Sequence, residues 1–321
     1  MRPFRPAWWL ANPHLQTLWA GLIGRPRLPE LRAERLELPD GDFLDLNWLD
    51  ASAADAPLVV IFHGLQGSID SPYVGRSLNA LKERGLRALF VHFRSCGEEP
   101  NRLARGYHAG ETGDIDHVIR MVHDREPETR LGAMGFSLGG NALLKHLGET
   151  GEDTLVSAAV TVSVPFDMLV CAGRLDIGFS KVYRGWLLKM IFRAVLKKRA
   201  LLEAAGVDVD SVIASKTLRE LDDRLIVPLH DFADSDDYYV KTSSKPYLRE
   251  IACPTLLIQS VDDPFLRPSI LPDQDECGPL VERHFCPRGG HGGFLDGRVP
   301  GFARPYLTGP PIDWLVSKLR S

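Results

Sequence analysis

Residues 135–141 read Gly135-Phe136-Ser137-Leu138-Gly139-Gly140-Asn141, one serine among three glycines. An apolar run, Leu131 to Met134, precedes them, and a helical run from Asn141 to Leu147 follows. A strand that passes into a helix through G-x-S-x-G holds its serine on a sharp turn, with the hydroxyl exposed near a helix N-terminus. The glycines leave room for that turn. Alone the pattern is weak, because Gly/Ser turns also serve as surface loops and tight packing sites. The segments around it have to decide.

Outward from this stretch, short apolar runs alternate with amphipathic ones. Leu58 to Phe62, Ala88 to Phe93, Leu131 to Met134, Ala158 to Val164 and Thr255 to Gln259 are nearly all apolar, as suits parallel strands covered on both faces. Between them, Ser71 to Gly85 predicts a helix with Ser71 as cap, Pro72 in the first turn and Gly85 as stop. Ile115, Val118, Ile119 and Val122 mark a second helix, ended before Pro127. Upstream, two alternating stretches around Pro39-Asp40-Gly41-Asp42 predict an antiparallel hairpin. The alternation is that of an α/β chain with a mostly parallel central sheet. It fails between residues 166 and 246, where a helical stretch and then six aspartates from Asp222 to Asp237 stand instead. That block predicts a helical cap inserted over the carboxyl edge of the sheet, within a single domain spanning residues 1–321.

In a parallel sheet, ligands sit beyond the carboxyl ends of the strands. Ser137 falls there. So does Ile61-Phe62-His63-Gly64-Leu65-Gln66-Gly67, after the first parallel strand. Acyl transfer needs two N–H donors for a developing oxyanion, and the amides of Leu138 and Leu65 are the candidates. Ser260-Val261-Asp262-Asp263-Pro264 follows another strand and offers a carboxylate that could orient an imidazole, although Asp-Pro is also a common turn. Counting three positions from the small residue that ends the strand selects Asp263, and leaves Asp262 to accept turn N–H groups. Finally, His291 stands inside four glycines after the run Val281 to Phe285. Serine, acid, histidine is the chain order of α/β-hydrolase triads.

The chain resembles the YheT-like branch of the α/β-hydrolases, related to medium-chain ester hydrolases and phospholipid-directed lipases. The resemblance runs through Asn12-Pro13-His14-Leu15-Gln16-Thr17-Leu18-Trp19, Phe62 to Ser68, His92 to Thr112, the serine stretch, Val261 to Phe265 and Gly289 to Phe294. It implies the α/β-hydrolase fold, a triad of Ser137, Asp263 and His291, and hydrolysis of a small-molecule acyl ester without a cofactor. A thioesterase or acyltransferase would use the same three residues. A binding protein that keeps the fold without turnover would be expected to have lost one of them.

Composition narrows the classes further. With 38 basic against 42 acidic side chains there is no cationic excess to neutralise a nucleic-acid backbone. None of the histidines has the spacing of a zinc-binding helix, so no metal is expected. Five widely spaced cysteines without a C-x-x-C pair point to reduced thiols in the cytoplasm. Lys181 to Arg199 carries seven basic residues and no acid, interleaved with Trp186, Leu187, Leu188, Ile191, Phe192 and Val195. Such a stretch either roofs the site, its charges paired with the aspartates that follow, or makes peripheral contact with an anionic lipid surface.

Overall fold

The computed structural model describes residues 1–23, 26–53 and 55–321. Eight strands form the main sheet: β1 (Arg32–Glu37), β2 (Phe43–Leu49), β3 (Leu58–Phe62), β4 (Arg87–Val91), β5 (Leu131–Phe136), β6 (Ala158–Val162), β7 (Thr255–Ser260) and β8 (Val281–Cys286). Their order is β1-β2-β4-β3-β5-β6-β7-β8. The hairpin around Pro39 to Asp42 forms as predicted, with Glu37 opposite Phe43, and β2 runs antiparallel to β4. From β4 to β8 every pairing is parallel.

The helices run α1 (Pro13–Leu22), α2 (Pro72–Glu83), α3 (Thr112–Arg125) and α4 (Leu138–Thr150), then a block between β6 and β7, then one last helix after β8. The block holds α5 (Met168–Arg174), α6 (Ser180–Lys197), α7 (Arg199–Ala204), α8 (Val209–Ile213), α9 (Leu218–Leu221), α10 (Val227–Leu229) and α11 (Ser235–Thr242); α12 spans Pro310–Arg320. Successive strand residues point to opposite faces. Val60 and Phe62 therefore pack with α3 and α4 through Val118, Ile119, Leu143 and Leu144. Val59 and Ile61 pack with α2 and α12 through Leu78, Leu81, Leu315 and Leu319. Val74, Leu78 and Leu81 of α2 are fully buried, each contributing roughly 1.5–3 kcal/mol.

Several boundaries differ from the sequence reading, for reasons visible in the hydrogen bonds. β4 stops at Val91 rather than Phe93, because the Phe93 N–H donates to His63 Nε2 instead of a neighbouring strand. β6 stops at Val162, because Ser163 takes φ 55° and the Val164 N–H donates to Gln259 Oε1. β5 continues to Phe136, since the backbone leaves the extended region only at Ser137. Ser71 precedes α2 as expected, but its hydroxyl accepts the Ser68 N–H and makes no cap bond to the helix. A second, two-stranded sheet of β9 (Leu295–Val299) and β10 (Phe302–Pro305) follows the histidine segment, where no strand was predicted. All five cysteines are free. Among the described residues no helix is long and apolar enough to cross a membrane.

Candidate active site

Ser137 occupies the junction of β5 and α4 with φ 50° and ψ −119°, a left-handed conformation that costs a side-chain-bearing residue energy. Its N–H donates to Val162 O of the neighbouring strand. The turn is tight enough to require glycine on either side. A Cβ on Gly135 would come within 2.5 Å of Gly140 Cα, and one on Gly139 would run into the His63 carbonyl oxygen. Asn141, the last residue of the stretch, is fully buried. Its amide donates to Ala109 O and Thr242 O and accepts the Ser244 N–H, so it ties α4 to the end of the helical block.

The structure brings His291 and Asp263 to this serine. His291 Nε2 lies 3.1 Å from Ser137 Oγ, and its Nδ1 lies 2.8 Å from Asp263 Oδ2. The Asp263 carboxylate, which is buried, also accepts the Phe265 N–H at 2.8 Å and the Gln259 Nε2 amide at 3.3 Å. The Phe265 ring stacks on the His291 imidazole, 4.1 Å between centroids and 5° from parallel. Asp262 turns the other way. Its Oδ1 accepts the N–H groups of Gly289 and Gly290 at 2.9 and 3.0 Å, and burial raises its carboxyl above the ordinary value despite these bonds.

The loop after β3 is set by His63, which is fully buried. With its Nε2 accepting from Phe93, its Nδ1 carries the proton and donates to Gly64 O at 2.6 Å. Burial lowers its pKa to about 3, so the ring stays neutral. Fixing the Gly64 carbonyl fixes the peptide plane, and the Leu65 N–H then points the opposite way. A Cβ on Gly64 would lie 3.1 Å from Ser137 Cβ, which brings this loop against the serine. Among the described residues, neither Leu65 N–H nor Leu138 N–H donates to a protein acceptor.

Beside Leu65 and Leu138 opens a mostly apolar cleft, continuous with solvent, walled by Tyr107, Ile191, Leu225 and Tyr238. Its two lining histidines are neutral near pH 7. Burial lowers His108 to about 3 and His230 to about 4, and raises Asp222, which accepts a hydrogen bond from Tyr239, to about 7. Lys198 is lowered to about 8 by burial and donates to Ser95 Oγ and to the carbonyls of Ala104 and Arg105.

Among the described residues, no ion pair joins the Lys181–Arg199 stretch to the aspartates from Asp222 to Asp237. Arg199 pairs with Glu203 and Asp210, and Arg184 reaches back to Asp176. The Asp222-to-Asp237 run braces its own region instead. Asp234 caps α11, Asp223 accepts the Ser235 N–H, and Asp236 and Asp237 pair with Arg219 and Lys241. Aspartates flanking a helix start have nearer donors in that helix than in a neighbour.

Sequence reasoning missed two parts of this site. Gln259 had no signal beyond its place in an apolar strand, although it links Asp263 to Val164. The segment Asn12 to Trp19 carries part of the resemblance, but the sequence assigned it no role at the site. In the structure Thr17 Oγ1 accepts the His291 N–H at 2.9 Å.

A parallel sheet entered through an antiparallel hairpin, with every marked residue past the carboxyl ends of its strands, places the chain in the α/β-hydrolase class of folds. The family described as alpha/beta hydrolase fold matches residues 57–298. YheT of Escherichia coli (strain K12), provisionally named an esterase, is 37% identical over 99% of this chain and 94% of its own length. Human phospholipase ABHD3 is 28% identical over 92% of this chain and 75% of its own. Among solved structures, the Pyrococcus furiosus esterase Pf2001 superposes with a TM-score of 0.56 at 16% identity, covering 93% of this chain and 98% of that one. The chain belongs to the α/β-hydrolase family, in its YheT-like branch.

Proposed function

We propose that the protein hydrolyses carboxylic esters through an acyl-enzyme on Ser137. The observation that carries this reading is the continuous chain Ser137 Oγ, His291 Nε2, His291 Nδ1, Asp263 Oδ2, with contacts of 3.1 and 2.8 Å. Ser137 Oγ attacks the ester carbonyl as its proton passes to His291 Nε2. The tetrahedral oxyanion is met by the Leu65 and Leu138 N–H groups, and His291 returns the proton to the departing alkoxide. Water repeats the sequence on the acyl-enzyme and releases the acid. Asp263 keeps the Nδ1–H tautomer and stabilises the imidazolium. The esterase and phospholipase names of the relatives support the same class.

The apolar cleft beside Leu138 supports acyl chains of intermediate length. Each CH₂ buried there adds roughly 0.8 kcal/mol until the cleft is full. Turnover of aryl esters from two to sixteen carbons should rise, peak and fall; a flat profile or an acetate optimum overturns an acyl cleft. Running acyl-CoA and alcohol acceptors alongside separates ester hydrolysis from thioester hydrolysis and acyl transfer. Lipid contact has its own support on the outer face of α6, where Val182 and Trp186 stand exposed beside Lys181, Lys189 and Arg193. Sedimentation of wild type and Trp186→Ser with anionic vesicles tests it.

A further inference from the structure

We infer that α1 is part of the catalytic apparatus, with Thr17 as a positioning residue for His291 and Gln16 as its anchor; this rests on the reading of His291 as the general base. The histidine loop is held from outside, through its backbone N–H groups. Four consecutive N–H groups, those of Gly289, Gly290, His291 and Gly292, each donate to a side chain of another segment. Asp262 takes the first two, Ser163 takes the last, and Thr17 of α1 takes that of His291 itself. Of these four bonds, the one on Thr17 acts on the peptide that carries the imidazole.

The helix is built to hold that oxygen still. Asn12 caps it, accepting the N–H groups of His14 and Leu15, and Pro13 opens its first turn. Thr17 Oγ1 donates to Pro13 O, which leaves a lone pair aimed at His291. One residue earlier, Gln16 is fully buried and clasps both backbone groups of Leu295, its Nε2 donating to the carbonyl and its Oε1 accepting the N–H. The chain on the far side of the loop is therefore pinned to the same helical turn. Two loop glycines record how close α1 lies. A Cβ on Gly290 (φ +63°) would stand 2.5 Å from Pro13 O, and one on Gly293 would stand 2.8 Å from Gln16 O. A further contact reaches the imidazole face. His14 Nδ1 meets the Tyr183 hydroxyl at 3.1 Å, Tyr183 packs on Phe265, and Phe265 stacks on His291.

A general base displaced by about 1 Å loses on the order of 100-fold in rate. Thr17→Val removes the oxygen and keeps the shape, so kcat for an aryl ester should fall about 10- to 100-fold with KM within about twofold. Fluorophosphonate labelling of Ser137, which needs the same base, should slow by the same factor. Thr17→Ser restores the oxygen and should return both rates to within about twofold of wild type. Hydrogen exchange of the Gly289–Phe294 segment should rise in Thr17→Val and stay low in Thr17→Ser; Thr17→Ala serves if the valine variant does not fold. Wild-type kcat in Thr17→Val, or a serine variant as slow as the valine one, overturns the inference. A wild-type protein that fails to label overturns the triad, whereas exchange unchanged by Thr17→Val overturns the clamp alone.

Discussion

The serine elbow and the histidine loop meet at one hydrogen bond but are supported in opposite ways. The elbow is assembled by its own neighbours. Gly135 leaves room for Gly139 and Gly140 across the turn, and one bond to the adjacent strand seats Ser137. The histidine loop has no such autonomy. Its conformation is imposed by Asp262 after β7, Ser163 after β6 and Thr17 on a helix 274 positions away in sequence. A strained local turn thus carries its reason within seven residues, whereas a loop of glycines takes its shape from whatever surrounds it. The serine is legible from a motif; the histidine loop takes its shape from the rest of the molecule.

The sharpest test is whether these two differently supported residues are equally indispensable. Ser137→Ala and His291→Ala should each lower kcat by about 10⁶-fold, since groups acting as one unit fail together. Steady-state assays with matched thermal melts check this, and retention of about 1% activity by either variant breaks the equivalence. Next comes the pair of adjacent aspartates. Asp263→Asn should cost about 10⁴-fold in kcat, because the amide favours the wrong imidazole tautomer. Asp262→Asn keeps an oxygen for the Gly289 and Gly290 amides and should cost less than about tenfold. The reverse order would exchange their roles.

Smaller effects separate local from distant support. Gly135→Ala forces a methyl into Gly140 Cα and Gly139 O of its own turn, and urea unfolding should register a loss of about 2–4 kcal/mol. Gly290→Ala meets α1 rather than its own turn, so activity should suffer more than stability. Equal stability losses would mean the loop is as self-contained as the elbow. The smallest effect is in the helical block. Folded Asp222 keeps its proton up to about pH 7, while the unfolded side chain releases it near 3.8. The native state therefore binds the extra proton across that window, and this contribution to stability is lost as pH rises through it. Asp222→Asn removes the titration, so its melting temperature should change less than that of wild type between pH 5 and pH 8. An undiminished change would show that Asp222 does not set the slope.

What was legible in the sequence follows the same division. The parallel strands announced themselves because strands buried on both faces must be apolar throughout, and β3 was bounded to the residue. Ser137 was legible because a left-handed turn between strand and helix demands glycine, and glycines stand out. Asp263 was selected over Asp262 by counting along a turn, again a local rule. One of the two readings of Lys181 to Arg199 paired its charges with the Asp222-to-Asp237 run; the run instead meets donors in its own region, because pairing is decided by which donors lie near.

The sequence by itself determined the sheet, the order of its strands' chemistry and the elbow, since each of those depends on periodicity or on a turn only a few residues wide. Only the tertiary structure decided what Gln259, Gln16 and Thr17 do, because a polar side chain carries no sign of which distant backbone group it will meet. A buried N–H must find an acceptor somewhere, and the fold alone settles where.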